Sequence, residues 1–581
     1  LVTSTGTTLS VQTISAQGVV TVENAGGALL DSNGATVNIT GSVVNLTGAS
    51  GIGTASDPLE TNTAELKTTV SAAAAGITPA ASTYVNNRNG ALVAMNSISA
   101  TTNAGDVAIN FLGGSLTFAA STQLFNAAGA AVAFETKAGD VKLGLVDAGS
   151  NDISITVAGA ISDNVNDSAV DIRGGSTTLV SGTGIGANLN GIDTDVVSLR
   201  ATTDSGGIYI QETNAFTVSA LAKVGDVDVR NATGDITVGL VSSPSQVTVS
   251  TNGAMLDGNG ADNNLSADTL NLMASSGIGA AGDALESSIN TLTAAGGAGG
   301  GLLIANSKSL VLTSASATGG PISISASGDL TFGPVAAPGQ EVSLTANGEL
   351  IDSNGAASNI NALSATLTGA TIGTSSDKIE TDVSTITAVA ASGGVFLSDA
   401  SLASLTLNAT ARGQAADIDI DSAGSIILNT AIAQGDTVKL RAAGSITDGN
   451  DPPPPVQVNI VAKTLDIAAP DGIGSPANPL EADVDQVALA DGGAVGASIT
   501  FTGPLLLTEA ALEAAGSGTL TFDAESITIE NISDNTATIA PGRSLVLRTL
   551  TGAIVFLDAA DTIETSGAGA ITVQAGTVVG S

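Results

Sequence analysis

The residues of this chain most able to do chemistry are aspartates that recur in a glycine-bounded motif. GELIDSNG, GGALLDSNG and GAMLDGNG share a glycine, two or three mostly apolar residues, an aspartate, a small residue and an asparagine, and GSITDGN and GAISDN are weaker copies. Carboxylate and amide oxygens are ligands for hard cations, and paired carboxylates can act as acid and base. The residues concerned are Asp31, Asn33, Asp163, Asp257, Asn259, Asp352, Asn354, Asp448 and Asn450.

Calcium binding is one interpretation of these loops, because DGNGAD and DGND are acidic and rich in oxygen. Its candidate ligands are Asp257, Asn259, Asp262, Asp448, Asn450 and Asp451. Each loop alone supplies few carboxylates, however, and the glycine-rich nonapeptide calcium repeat is missing. Asx side chains hydrogen-bond to their own backbone two residues on. We therefore interpret the motif as a structural corner, in which Gly34, Gly260 and Gly355 supply a positive φ, and we expect no cofactor.

A second set of acidic residues follows the motifs and has the residue type of catalytic carboxylates. They recur once per long module, which favours turn or rim residues, and they are Glu60, Asp193, Glu286, Glu380 and Glu481. The chain has no His and no Cys, which removes the usual general base and the thiolate nucleophile. We therefore predict no catalytic residue and no enzymatic activity.

The spacing of the five aspartates indicates a repeat. Successive aspartates are 132, 94, 95 and 96 residues apart, close to seven, five, five and five steps of about 19 residues. Each is followed by a Gly-Ile-Gly marker, or in one copy by Thr-Ile-Gly, at 51–53, 184–186, 277–279, 371–373 and 472–474. We predict one continuous shaft over residues 1–581 that advances by about 19 residues per turn. Its long modules begin near residues 27, 159, 253, 348 and 444.

The elements that position these loops are predicted to be strands. ADTLNLMA, PISISAS and ADIDIDS alternate aliphatic and polar residues with the period of two expected of a strand, and turn pairs such as GD, NG and SG separate them. ALEAAG near residue 511 is the best helical candidate, and we interpret it as turn or strand. With only 10 Phe, 2 Tyr and no Trp, the core must consist of stacked Val, Ile, Leu and Ala. We predict an all-β fold, a right-handed parallel β-helix (β-solenoid).

The charge balance excludes two classes of partner. There are 16 basic and 54 acidic residues, a formal net charge of −38. Nucleic acids and anionic membrane surfaces both require basic surface, so we expect neither as a partner. The chain also has no apolar run of the roughly 18 residues that a membrane-spanning helix needs, so we expect no membrane insertion.

Several of these segments resemble the repeats of filamentous-haemagglutinin-like exoproteins. The resemblance lies in GDITVG, in GSITDGN and in the stretches 328–355, 472–481 and 552–573. Members of that family are large surface or secreted adhesins of Gram-negative bacteria, exported by two-partner secretion or retained as autotransporters. The resemblance implies an exported protein, outside the cell or on its surface, of which this chain is the repeat shaft.

We therefore predict an extracellular structural or adhesive fibre. Solenoid ends expose strand edges that template pairing, so the expected partners are neighbouring copies stacked end to end, or other surface proteins and glycans. The alternative is a β-helical carbohydrate-active enzyme, such as a polysaccharide lyase or hydrolase. Such an enzyme needs clustered acidic groups with basic residues on one face, and aromatic platforms for sugars, and this chain has no His and few basic or aromatic residues.

Overall fold

A computed structural model gives the structure of the chain. It describes residues 1–70, 82–88, 93–95, 107–111, 116–118, 123–126, 131–414, 416–450, 457–575 and 577–579. The chain divides into two compact units, Leu1–Ile289 and Asn290–Ser581. Both are all-parallel β-solenoids, and the chain makes about 23 turns that are about 22 residues apart. The predicted fold class is confirmed, and the predicted turn length is slightly too short.

The unit Leu1–Ile289 contains short strands joined by turns. In chain order, β1 to β29 are Val2–Ser4, Thr8–Val11, Ile14–Ser15, Val19–Asn24, Ala28–Asp31, Ile39–Gly48, Leu59–Val70, Thr83–Asn87, Val93–Met95, Val107–Phe111, Leu116–Phe118, Gln123–Asn126, Val132–Thr136, Val141–Leu143, Leu145–Asp147, Ile153–Val157, Ala160–Asp163, Ile172–Ser181, Gly184–Ile185, Ile192–Thr203, Ile208–Glu212, Phe216–Ala222, Val227–Asn231, Ile236–Ser242, Gln246–Thr251, Met255–Asp257, Leu265–Ser266, Thr269–Ala274 and Leu285–Ser288.

The unit Asn290–Ser581 has the same organisation, with one short helix, α1, at Glu509–Leu512. Its strands β30 to β56 are Thr291–Gly296, Leu302–Asn306, Leu310–Ala317, Ile322–Ala326, Leu330–Phe332, Val335–Ala346, Leu350–Asp352, Ile360–Gly369, Ile379–Asp382, Thr385–Ala390, Val395–Asp399, Leu405–Ala411, Ile418–Ser422, Ile426–Ala442, Ile446–Asp448, Ile460–Ala468, Leu480–Asp491, Gly496–Phe501, Leu505–Leu507, Thr519–Ala524, Ile527–Ile529, Thr536–Ile539, Leu545–Thr549, Ala553–Phe556, Thr562–Thr565, Ile571–Gln574 and Thr577–Val579.

Equivalent residues of successive turns lie opposite one another in parallel pairs. We call a column of such paired residues a ladder. One ladder contains Leu310, Leu330 and Leu350, which are separated by equal steps along the chain. All three are almost completely buried, because alternate residues of a strand point to opposite faces and one face here lines the interior. Val438 lies opposite Leu465, which is a longer step along the chain for one turn. Turns therefore differ in loop length while their inward residues stay stacked.

The motif spacing misled the estimate of turn length because successive motifs lie on different ladders. Asp163 ends β17, which pairs with β19 and through it with β21. Asp257 ends β26, which pairs with β24 and through it with β22. Since β21 and β22 are consecutive strands along the chain, these two aspartates occupy different faces of their solenoid. The spacing between these two motifs is thus not a whole number of turns.

The helix α1 corrects the interpretation of ALEAAG as turn or strand for its first two residues, Ala511 and Leu512, while the remaining four lie beyond the helix. Thr508 is the N-cap, and its hydroxyl accepts a hydrogen bond from the backbone N–H of Ala511 at 3.1 Å. Ala511 and Leu512 are buried, so tertiary packing stabilises this single turn. One helical turn is too short to give a recognisable period in the sequence. Across the described residues, none of the helical structure is long and apolar enough to cross a lipid bilayer.

The stacked interior predicts a sharp difference between two leucines of β37. Leu367 is fully buried, whereas Leu363 is 55% exposed. Leu367→Ala should lower the local free energy of unfolding by about 2–5 kcal/mol, the cost of an aliphatic cavity in a packed core. Faster amide hydrogen exchange in the paired strands β35 and β39 would report this loss.

Leu363→Ala is the matched control, and we expect it to leave that exchange nearly unchanged. Equal effects of the two substitutions would contradict the inward placement of Leu367.

Candidate functional site

The aspartate of each motif forms the hydrogen bond of an Asx turn. In all five copies its Oδ1 accepts a hydrogen bond from the backbone N–H two residues on, at 2.8–3.0 Å. The glycine that follows has φ of +61°, +68° and +59° at Gly34, Gly260 and Gly355, a conformation that favours glycine. In every copy the aspartate is the last residue of a short strand, so the motif turns the chain out of one face of the solenoid.

A buried asparagine, which the sequence analysis missed, completes the corner in four copies. These residues are at most 1% exposed, and they are Asn38, Asn264, Asn359 and Asn459. The Asn359 amide nitrogen donates to Asp352 Oδ1 at 2.5 Å and to the Phe332 carbonyl at 3.4 Å. Its oxygen accepts from the Glu380 backbone N–H at 2.8 Å. Each such asparagine therefore ties its own turn to the turns before and after it.

The five acidic residues of the second set lie in strands and not in turns, which corrects their assignment as turn or rim residues. Glu60, Asp193 and Glu481 are 3%, 6% and 6% exposed. In the four copies with the buried asparagine, the backbone N–H of the glutamate donates to that asparagine's Oδ1 at 2.8–2.9 Å. These glutamates thus begin the strand that the asparagine anchors.

In two copies the aspartate and the glutamate have pKa values shifted in opposite directions. Burial raises the pKa of Glu60, and the negative charge of Asp31 raises it further. Burial also acts to raise the pKa of Asp31, but hydrogen bonds from the Asn33 N–H and the Asn38 amide outweigh it and lower that pKa. The same opposition occurs between Glu286 and Asp257. A charged aspartate held by N–H donors therefore lies near a carboxyl group that is easily protonated.

The second copy departs from this arrangement, because Asp171 occupies the place of the buried asparagine. Asp171 Oδ2 accepts from the backbone N–H of Asp193 at 3.0 Å, as the asparagine oxygen does elsewhere. One carboxylate oxygen each from Asp163, Asp171 and Asp193 lies within 4.8 Å of the others. Burial, together with the neighbouring negative charges, raises the pKa of Asp171 to about 8 and that of Asp193 to about 6. We call these three residues the aspartate triad.

The calcium candidates of the sequence analysis lie elsewhere. Asp257 accepts from the Asn259 N–H and the Asn264 amide through Oδ1, and from the Gly260 N–H through Oδ2. Asp448 Oδ1 likewise accepts from the Asn450 N–H and the Asn459 amide. These three oxygens accept N–H donors, whereas Asp448 Oδ2 and Asn450 Oδ1 are buried without a hydrogen-bond partner among the described residues. Asp262 is exposed, and Asp451 lies outside the described residues.

A further polar residue recurs inside the solenoid one turn after the second set. Asn87, Glu212 and Asp399 each accept a threonine hydroxyl, from Thr61, Thr194 and Thr381, at 2.7–3.1 Å. Each also accepts the backbone N–H two residues beyond that threonine, at 3.1–3.3 Å. The position accepts an amide or a carboxylate, since both offer an oxygen to the same two donors.

A cleft of about 230 Å³ opens beside the loop that follows the second Gly-Ile-Gly marker. Its lining includes Leu189, Tyr209, Gln211, Asp228 and Arg230. Leu189 is 91% exposed, and Arg230 forms an ion pair with Asp228 at 2.8 Å. An exposed apolar side chain, a tyrosine ring and an ion pair together offer a contact surface for a polar ligand.

Comparison of the chain with family models, curated proteins and solved structures finds no match. The fold and the recurring corners define the class, which is a β-solenoid repeat protein with internally braced turns.

The carboxyl group of Asp399 should make stability depend on pH. Burial raises its pKa from 3.8 to about 6, so between about pH 4 and 6 the folded state binds more protons than the unfolded state. The free energy of unfolding should therefore fall as the pH rises through that interval. Asp399→Asn, which reproduces the arrangement at Asn87, should flatten this dependence. Urea midpoints measured across the interval would test it.

Asp483→Asn, at an exposed position, is the control and should keep the pH dependence of the unsubstituted protein. An Asp399→Asn curve parallel to that of the unsubstituted protein would show that Asp399 does not titrate as its burial implies.

Proposed function

We propose that this chain is a segment of an extracellular structural and adhesive fibre at a cell surface. In this proposal the solenoid is a stiff spacer and its outer loops make the contacts. The observation that carries the proposal is the parallel ladder of each unit, in which successive turns stack around a core of Val, Ile, Leu and Ala. The resemblance of the repeats to filamentous-haemagglutinin-like exoproteins supports the same role.

The proposed partners follow from the edges and the surface of a solenoid. Each turn pairs its backbone with the turns on either side, so a terminal turn can pair with another copy end to end. The outer loops, and the cleft at Tyr209 among them, would contact other surface proteins or glycans. The net charge of −38 favours solubility and disfavours nucleic acid and anionic membranes as partners.

The placement of the ionisable groups favours a fibre over a carbohydrate-active enzyme. Asp171, Asp193 and Asp399, whose pKa values are raised to about 8, 6 and 6, are 5%, 6% and 2% exposed, so a polysaccharide chain cannot reach them. Several basic side chains are held by aspartates, as is Lys378, which bonds Asp419 at 2.7 Å and Asp421 at 2.8 Å. A lyase or hydrolase needs its acid, base and cation together on an accessible face.

Electron microscopy of the purified chain tests the fibre directly. We expect unbranched rods of constant width whose length increases with protein concentration, because stacked turns extend only along the solenoid axis. A parallel screen on polysaccharides, read by new reducing ends or unsaturated products, should show no activity.

Rods whose length does not change with concentration would contradict end-to-end association. Polysaccharide cleavage that is lost on substitution of a named carboxylate would contradict the proposed fibre function and favour a carbohydrate-active enzyme instead.

A further inference from the structure

We propose that the aspartate triad, Asp163, Asp171 and Asp193, binds one divalent cation, and that the cation is Ca²⁺. Three carboxylates converge from separate strands or loops, with one oxygen of each within 4.8 Å of the others. Asp163 ends β17, Asp171 immediately precedes β18 and Asp193 is the second residue of β20. The backbone pairing of these strands fixes the three side chains before any ion arrives, and such preorganisation favours binding.

One observation besides the cluster itself points to a ligand. The Asp193 side chain, in a residue only 6% exposed, receives no hydrogen bond within the described parts of the chain, although it faces the other two carboxylates. Oδ2 of Asp163 is also buried without a hydrogen-bond partner in those parts, but so is Oδ2 of Asp31, Asp352 and Asp448, and this oxygen therefore does not distinguish the triad from other copies. Buried carboxylate oxygens without a donor are costly unless a cation or a proton meets them. In the triad the Asp193 carboxyl group has no donor and lies against two further carboxyl groups, an arrangement found at no other corner of the described residues.

Comparison with the other four copies shows what occupies this point elsewhere. There, the asparagine amide places N–H groups against the aspartate, as Asn359 does at Asp352. Asp171 keeps the acceptor function of the asparagine, because its Oδ2 accepts the Asp193 N–H. When ionised, it cannot supply the donor, and it then adds a negative charge. A bound cation would restore the attraction that the amide provides in the other copies.

The chemistry of the donors selects the ion. All three are carboxylates, and the chain contains neither His nor Cys, so the site suits a hard cation and not zinc, copper or nickel. Ca²⁺ accepts irregular coordination by six to eight oxygens, whereas Mg²⁺ demands a near-ideal octahedron. Residues 166–169 of the adjoining loop are exposed, and Asp167 among them adds negative charge near Asp193. This loop is the route by which an ion and its remaining waters would enter.

The test measures Ca²⁺ bound to the full chain by equilibrium dialysis near neutral pH in physiological salt. We expect one saturable Ca²⁺ per chain. Asp171→Asn should raise its dissociation constant more than about 100-fold, because losing even a partner of a metal ligand typically costs 10–100-fold. This variant has the residue that the other copies use, so we expect it to fold. Asp262→Asn, at an exposed loop position, should bind as the unsubstituted protein does.

A substitution that creates a new site tests the proposal from the opposite direction. Asn359→Asp places a third carboxylate beside Asp352 and Glu380, and we expect it to add a second saturable Ca²⁺.

Absence of saturable binding to the unsubstituted protein would overturn the proposal, and so would binding that Asp171→Asn leaves unchanged, which would reflect the acidic surface alone. Competition by Mg²⁺ at concentrations equal to those of Ca²⁺ would overturn the choice of calcium. These outcomes do not depend on whether the chain forms fibres.

Discussion

The structure depends on hydrogen bonding between the backbones of successive turns. Each strand pairs in parallel with strands of the turns before and after it, so the N–H and C=O groups of a short strand are satisfied only when its neighbours are present. This pairing fixes which residues stack, and it confines variation in length to the loops. Shorter and longer turns can therefore occur together in Asn290–Ser581 without disturbing the ladder.

The polar groups inside the solenoid obey the same constraint. A corner would leave backbone groups unpaired where one strand ends and the next begins, and the buried asparagine supplies the missing donors and acceptor. Asn359 does this by bonding Phe332 on one side and Glu380 on the other. Where Asp171 replaces the asparagine, the hydrogen bond to the following strand survives but the donor is lost. This corner thereby brings three carboxyl groups together.

The fold class could be predicted from the sequence, because alternation with period two, frequent turn pairs and an aliphatic composition all favour stacked strands. The turn length could not be predicted from the motif spacing, since Asp163 and Asp257 look equivalent in sequence yet lie on different ladders. The buried asparagines were missed because Asn38 and its equivalents are single residues in segments already rich in Asn and Ser. Asp171 was missed for the same reason. The recurrence of Glu60 and its equivalents was visible, but their burial was not, because burial depends on how the turns stack.

Disulfide formation between engineered cysteines measures the register of the ladder most directly, since the natural chain has no Cys. Thr366 lies opposite Thr387, on the next turn, and adjacent parallel strands bring such Cα atoms within disulfide reach. We predict that Thr366→Cys with Thr387→Cys forms a disulfide readily under mild oxidation. Thr366→Cys with Thr385→Cys should not form a disulfide. A turn of about 19 residues, as expected from the motif spacing, would place this second pair opposite each other. Preferential bridging of the second pair would contradict the register on which the core, the corners and the aspartate triad all depend.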